Sequence, residues 1–225
     1  MIFSLKTKLL FFLHFVLMTS VCCISSGQII KDADGNLYTS VKIGKQVWMV
    51  ENLSTTRLND GTPIKNVVQD EIWANSTGPA YCWFNNDPGN KNDLGALYNF
   101  FSVETGKLCP SGWHVPSKAE WAELIMSLGD SNTAGARIKS THADYWHNNI
   151  VVTTDEFGFS ALPGGSRQAI GEFPMNGDSF AAWWTSTRYN DALAWNHGIY
   201  YNTGKIYGGH DKIKCGFSVR CIKNK

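Results

Sequence analysis

Outside the first 27 residues, the side chains able to do acid–base, nucleophilic or metal chemistry are His114, His142, His147, His197 and His210, Cys82, Cys109, Cys215 and Cys221, and a dispersed set of carboxylates. No two of these histidines stand in an HExxH or other i, i+4 pair suited to zinc on one helix. His142 and His147 read as loop residues, and His114, between Trp113 and Val115, as a hydrogen-bonded fold residue. Ser166 follows Gly164-Gly165 but lacks the Gly-x-Ser-x-Gly elbow of a serine hydrolase. Asp144, Asp155, Glu156, Glu172, Asp178 and Asp191 can meet in space as an acid–base pair, yet no spacing selects two of them.

Binding chemistry is better represented. Aromatic faces stack on sugar rings while neighbouring amides and carboxylates bond the hydroxyls, which makes Trp184, Trp195, Asn176 and Asp178 the ligand-binding candidates. Adjacent strand residues point to opposite faces, so at least one of Trp183 and Trp184 belongs to the core. The polar run from Asn85 to Asp93 has oxygen ligands for a hard cation, calcium above all, but is equally the composition of a turn, which is the preferred reading. Asp32-x-Asp34-Gly35 also looks like the start of a calcium loop. Its twelfth position is Ile43 where an EF-hand needs glutamate, so a hairpin turn is expected, and no cofactor is assigned.

The elements that position these residues begin with a helix after Ser117. Ser117 and Glu120 have capping-box spacing, Trp121, Leu124, Ile125 and Leu128 recur on one face, and Gly129 stands at the left-handed stop. A shorter helix is expected over Thr133–Ser140, another over Leu94–Val103, and a helical turn presenting Trp73 over Gln69–Ala74. Lys31–Leu53 alternates like a β-meander with turns at Asp34-Gly35 and Gly44-Lys45, and Tyr81–Phe84 reads as a strand. Strand and turn formers dominate from Tyr145 onward, including Ala181–Ser186, Ala192–Tyr201, Lys205–Tyr207 and Gly216–Ile222. The order β-rich, helical, β-rich indicates one α+β domain.

Met1–Gly27 reads as a secretory signal, with Lys6 and Lys8 before an apolar run too short to span a bilayer comfortably and small residues ahead of Gln28. A secreted or cell-surface domain over residues 28–225, with its core at 31–222, is expected, with no transmembrane segment. Cys22 and Cys23 sit in poor lipobox sequences, so lipid anchoring through either is not favoured. The near balance of 20 basic and 19 acidic residues gives no electrostatic footprint for nucleic acid. Thirteen per cent aromatic residues, nine of them Trp, with 21 Gly, describe short strands and tight turns around a few large anchors. The four cysteines after the signal argue for disulfides in an exported protein, and three pairings exist. If Lys214–Ile222 is one strand, Cys215 and Cys221 lie ~20 Å apart, beyond reach of each other.

Six ordered segments carry a resemblance: Gln46–Leu53, Gly95–Asn99, Cys109–Pro116, Gly158–Gly165, Trp183–Thr187 and Gly216–Cys221. Together they resemble the Fibrobacter succinogenes major paralogous domain, a family of secreted or surface-associated bacterial proteins of undetermined role. More distantly, Val115–Trp121 with a closing Gly-Phe-x-x-Arg-Cys looks like the formylglycine-generating-enzyme superfamily. That resemblance implies a C-type-lectin-like α+β fold with short twisted antiparallel sheets, two main helices, long loops and disulfides. Such folds tie a helix entry to the last strand, which implies Cys109–Cys221 together with Cys82–Cys215. The oxidase's own site motif is not recognisable, and the sugar-binding Glu-Pro-Asn, Gln-Pro-Asp and Trp-Asn-Asp motifs of calcium-dependent lectins are absent. The expectation is therefore an exported, non-enzymatic module recognising a polysaccharide or surface protein, the alternative being a hydrolase or oxidase on the same scaffold.

Overall fold

The computed structural model describes residues 29–142, 145–146, 151–174 and 179–225. Residues 1–28 with Cys22 and Cys23, and His147, Asp144, Asn176 and Asp178, lie outside them. Helices are few and the sheets short and mainly antiparallel, an α+β arrangement.

The chain opens with β1 (Ile30–Lys31) and β2 (Leu37–Tyr38), joined by a turn that Asp32 organises. The Asp32 carboxylate accepts from the Asp34 and Asn36 amides and from the Tyr38 hydroxyl at 2.6 Å, so this loop is a turn, as its spacing suggested. Burial and the neighbouring carboxylate raise the Tyr38 pKa, keeping the phenol neutral and donating. Next come β3 (Ser40–Ile43) and β4 (Gln46–Met49), paired Ile43 to Gln46 across Gly44-Lys45. Gly44 sits at φ +59°, the sign a two-residue hairpin demands.

A second sheet holds β5 (Lys65–Asn66), β6 (Ala80–Trp83) and β7 (Ala96–Tyr98), with β5 parallel to β6. Between β5 and β6, α1 (Asp70–Ala74) buries Trp73 rather than presenting it, and the indole donates to the Lys214 carbonyl at 2.7 Å. After β6 the polar loop runs through two 3-10 turns into α2 (Lys91–Leu94). The helix expected over Leu94–Val103 is instead β7 followed by α3 (Phe100–Glu104). Gly95 at φ +72° breaks the run, residues 96–98 pair with β6, and the Asn99 side chain caps α3 by accepting from the Ser102 amide. Phe100 is buried and Phe101 half-buried.

Strand β8 (Trp113–His114) leads into α4 (Lys118–Ser127), whose capping box is complete: the Ser117 hydroxyl accepts from the Glu120 amide, and the Glu120 carboxylate accepts from the Ser117 amide at 2.8 Å. Trp121, Leu124 and Leu128 are fully buried while Ile125 is only half-buried, so the stripe is narrower than its spacing suggested. α5 (Ser131–Ile138) follows, capped by Asp130 and starting two residues earlier than expected. The third sheet is β9 (Phe180–Arg188), β10 (Leu193–Tyr200) and β11 (Tyr207–Lys212) in the order β11-β10-β9. Strand β12 (Ile222–Lys223) lies between β4 and β8 in the fourth sheet, β3-β4-β12-β8. The rest of Gly216–Ile222 is not one strand. It touches neighbours through single bridges, Phe217 to Tyr98 and Ser218 to Trp183.

Three apolar clusters fill the interior. One spans Met49, Tyr98, Phe100, Trp184 and Phe217, a second packs α4 and α5 on Trp48, Phe159, Trp183 and Ile199, and a third surrounds Trp73. Cys109 and Cys221 are bonded with Cα atoms 6.1 Å apart, tying the approach to α4 to the last strand. The second bridge implied by the resemblance does not form: Cys82 and Cys215 are separate thiols. Cys82 faces the Trp73 cluster beside Arg167, whereas Cys215 packs against the first cluster near the Ala169 and Lys212 backbone. Burial pushes each thiol up to about 12, so both are neutral and poorly nucleophilic near pH 7.

Candidate binding site

The segments that carry the resemblance converge first on a buried polar centre. Asn52 is its hub: its side-chain oxygen accepts from the Trp183 indole at 2.9 Å and from Arg220 at 3.0 and 3.3 Å, and its amide donates to the Leu94 carbonyl. A Cβ on Gly95 would fall 2.7 Å from that of Asn52, so the close approach requires glycine. Arg220 also donates to the Phe159 carbonyl and lies 4.2 Å above the Phe159 ring and 5.6 Å from that of Trp183. Burial lowers its pKa to about 9.

Two other buried cations are spent the same way. Arg167 donates to the Val67, Val68 and Gly171 carbonyls and to Asp70, and Lys139 donates to the carbonyls of Tyr200, Tyr201 and Thr203. These groups close irregular backbone and present nothing to solvent.

The remaining candidates are set by the β9–β10 register, which pairs Trp183 with His197 and Trp184 with Asn196. Both tryptophans of the pair are wholly buried, because the sheet is covered on both faces at this point. Trp184 packs on Phe100 and Phe217 and donates to the Tyr98 carbonyl at 2.8 Å, so its expected role as a ligand-binding residue is corrected to a core one. His197 is stacked on Trp121 at 5.0 Å. Neither of its nitrogens has a hydrogen bond of ordinary geometry, although the Tyr207 backbone lies near, and burial lowers its pKa to about 4.

Two residues along β10 the covering ends, and Trp195 is partly exposed opposite His210 of β11. Tyr189, 51 % exposed, stacks on His210 with ring centroids 4.0 Å apart, and both stand edge-on to Trp195 at 5.4 and 5.5 Å. The Lys118 ammonium lies 3.3 Å from the Trp195 centroid. The cluster is held firmly. Asn190 closes the β9–β10 turn by accepting from the Ala192 and Leu193 amides, and Arg188 bonds Glu104 and the Asn190 and Asp191 carbonyls. Pro116 and Thr187 join the start of α4 to β9 by accepting from the Ser186 and Lys118 amides.

Trp195 is thus the sequence candidate that lies at the surface with aromatic neighbours, while Asn176 and Asp178 lie outside the described residues. Sequence reasoning missed Tyr189, His210 and Lys118. Pairing β10 with β11 residue by residue would have put His210 beside Trp195, but Lys118 comes from a helix and has no local signal. A second aromatic row, half-buried Phe180 with exposed Tyr200 and Tyr207, occupies the other end of the sheet, with centroids 4.6 and 5.6 Å apart.

The polar loop at 85–93 uses its side chains on backbone. Asp87 accepts from the Gly89 amide, and Asn86 and Asn90 donate to the Val68 and Phe84 carbonyls. Asn85 and Asn86 adopt φ of 53° and 56°, a region asparagine tolerates. Among the described residues no three His, Cys, Asp or Glu side chains are grouped to hold a metal ion. Asp155 accepts from the Ser160 amide and hydroxyl, and Glu156 pairs with Arg137. His114 bonds Asn224 and Glu120. The open depression of 480 Å³ beside α1 has Lys65 and Glu71 as its charged lining.

No helix among the described residues is long and apolar enough to cross a membrane. Neither a curated protein nor a solved structure matches the chain significantly. The family model of the Fibrobacter succinogenes major domain matches residues 41–223, which take in all six resemblance segments, and the chain belongs to that family.

Proposed function

We propose that the protein is an exported, non-enzymatic module with a C-type-lectin-like fold that binds a polysaccharide outside the cytoplasm. The observation that carries this reading is the rim cluster of Tyr189, Trp195 and His210: aromatic rings partly open to solvent, fixed by a braced hairpin, at one end of the β9–β11 sheet. Rigid aromatic surface with nearby polar groups suits sugar rings, whose C–H faces stack and whose hydroxyls need partners. Export is supported by the signal-like character of Met1–Gly27.

The test is retention of the purified protein on soluble and insoluble polysaccharides, with calcium and with chelator, following both protein and carbohydrate. Retention without cleavage, lost in Trp195→Ala and Tyr189→Ala, is the expected result. Cleavage of the carbohydrate would overturn the non-enzymatic reading, and absence of retention would move the ligand to a surface protein. Loss of retention with chelator alone would place the contact at the Asn85–Asp93 loop instead of the rim.

A further inference from the structure

The cation at the rim narrows the ligand. Resting on the binding role proposed above, we infer that Lys118 and Trp195 recognise an acidic sugar, a uronate whose carboxylate takes the Lys118 ammonium while its ring takes the Trp195 face that the ammonium vacates. Lys118 is exposed, and no carboxylate among the described residues pairs with it. Acids of the neighbouring elements have partners of their own: Glu120 bonds Ser117 and His114, Glu104 bonds Arg188, and Asp211 accepts from the Asn196 amide.

The ammonium rests on the Trp195 ring with no carboxylate partner among the described residues. An exposed cation–aromatic contact is weak, and a charge-assisted bond to a carboxylate is at least as favourable, so the ammonium can change partners at little cost. The indole face it leaves is then covered by the C–H groups of the sugar. A neutral sugar must displace the same ammonium with nothing to receive it, so the arrangement discriminates by charge. His210, stacked on Tyr189 at the edge of the cluster, adds a ring nitrogen within the same rim.

The experiment uses polygalacturonate and its methyl ester, which share a backbone and differ in charge, with xylan and cellulose in parallel. The protein is expected to bind polygalacturonate about tenfold or more tightly than the ester, and to lose that preference as salt rises. Lys118→Met is expected to erase the preference while leaving thermal unfolding unchanged, and Trp195→Ala to weaken binding to every glycan. Equal binding of acid and ester, or a preference that survives Lys118→Met, overturns the charge inference and leaves the glycan-binding role standing. Binding to none of the four overturns both.

Discussion

Arg220 lies over Trp183 of β9 and Lys118 over Trp195 of β10, and the two contacts behave differently. Arg220 is buried, and its guanidinium also bonds Asn52 and the Phe159 carbonyl, so the ring is one of several partners. Lys118 is at the surface, and the ring is the partner its ammonium has. The same chemistry acts as a fold constraint where water is excluded and as a vacant valence where it is not. Burial and remaining hydrogen-bond capacity, rather than residue type, separate the structural cation from the one proposed for recognition.

The sharpest way to test that contrast is at the buried end. Asn52→Ala leaves Arg220 and the Trp183 indole without their acceptor, and is expected to cost ~3–5 kcal/mol, read as a lower urea midpoint at unchanged slope. Trp121→Ala, which opens the second cluster and unstacks His197, belongs in the same range of ~3–5 kcal/mol. Cys109→Ser is next: the bond closes a separation of 112 residues, and its loss is expected to cost ~2–5 kcal/mol in the same measurement under oxidising conditions.

A proton gives a smaller effect per pH unit. His197 is held neutral, with a folded pKa of about 4 against ~6.5 unfolded, so its contribution is intact above pH ~6.5 and lost as pH falls toward 4. Stability is expected to fall by up to ~1.4 kcal/mol per pH unit in that window, and His197→Gln to flatten the slope. At the rim the same substitutions that remove binding are expected to leave the fold alone, with Lys118→Met within ~0.5 kcal/mol of wild type. A large stability loss in Lys118→Met would erase the distinction between the two cations.

Local chemistry was the legible part. The Ser117–Glu120 capping box, the Gly44-Lys45 hairpin and the Asp32 turn involve residues within a few positions of one another, and each formed as its spacing implied. Leu94–Val103 misled because its apolar spacing fits a helix, whereas Gly95 and the Asn99 cap split it and β6 claims the first half. Trp184 and Trp195 look equivalent in sequence, since what distinguishes them is the cover on the sheet: Phe100 and Phe217 for one, open solvent for part of the other. Cysteine count overstated the bridges, because parity says nothing of which thiols face each other across the core. The rim cluster draws on residues 118, 189, 195 and 210, separations no local pattern records.

The position of β12 bears on when the chain can fold. A strand held between β4 and β8 brings with it the sulfur for Cys109 and the guanidinium for Asn52, so one short stretch completes a sheet, a covalent link and a buried polar centre. A chain halted at Cys215 holds every described helix yet lacks all three closures, and is expected to remain open to protease until the next eight residues are added. Pulse proteolysis of Cys215- and Lys223-terminated chains would show whether resistance arrives at that single step.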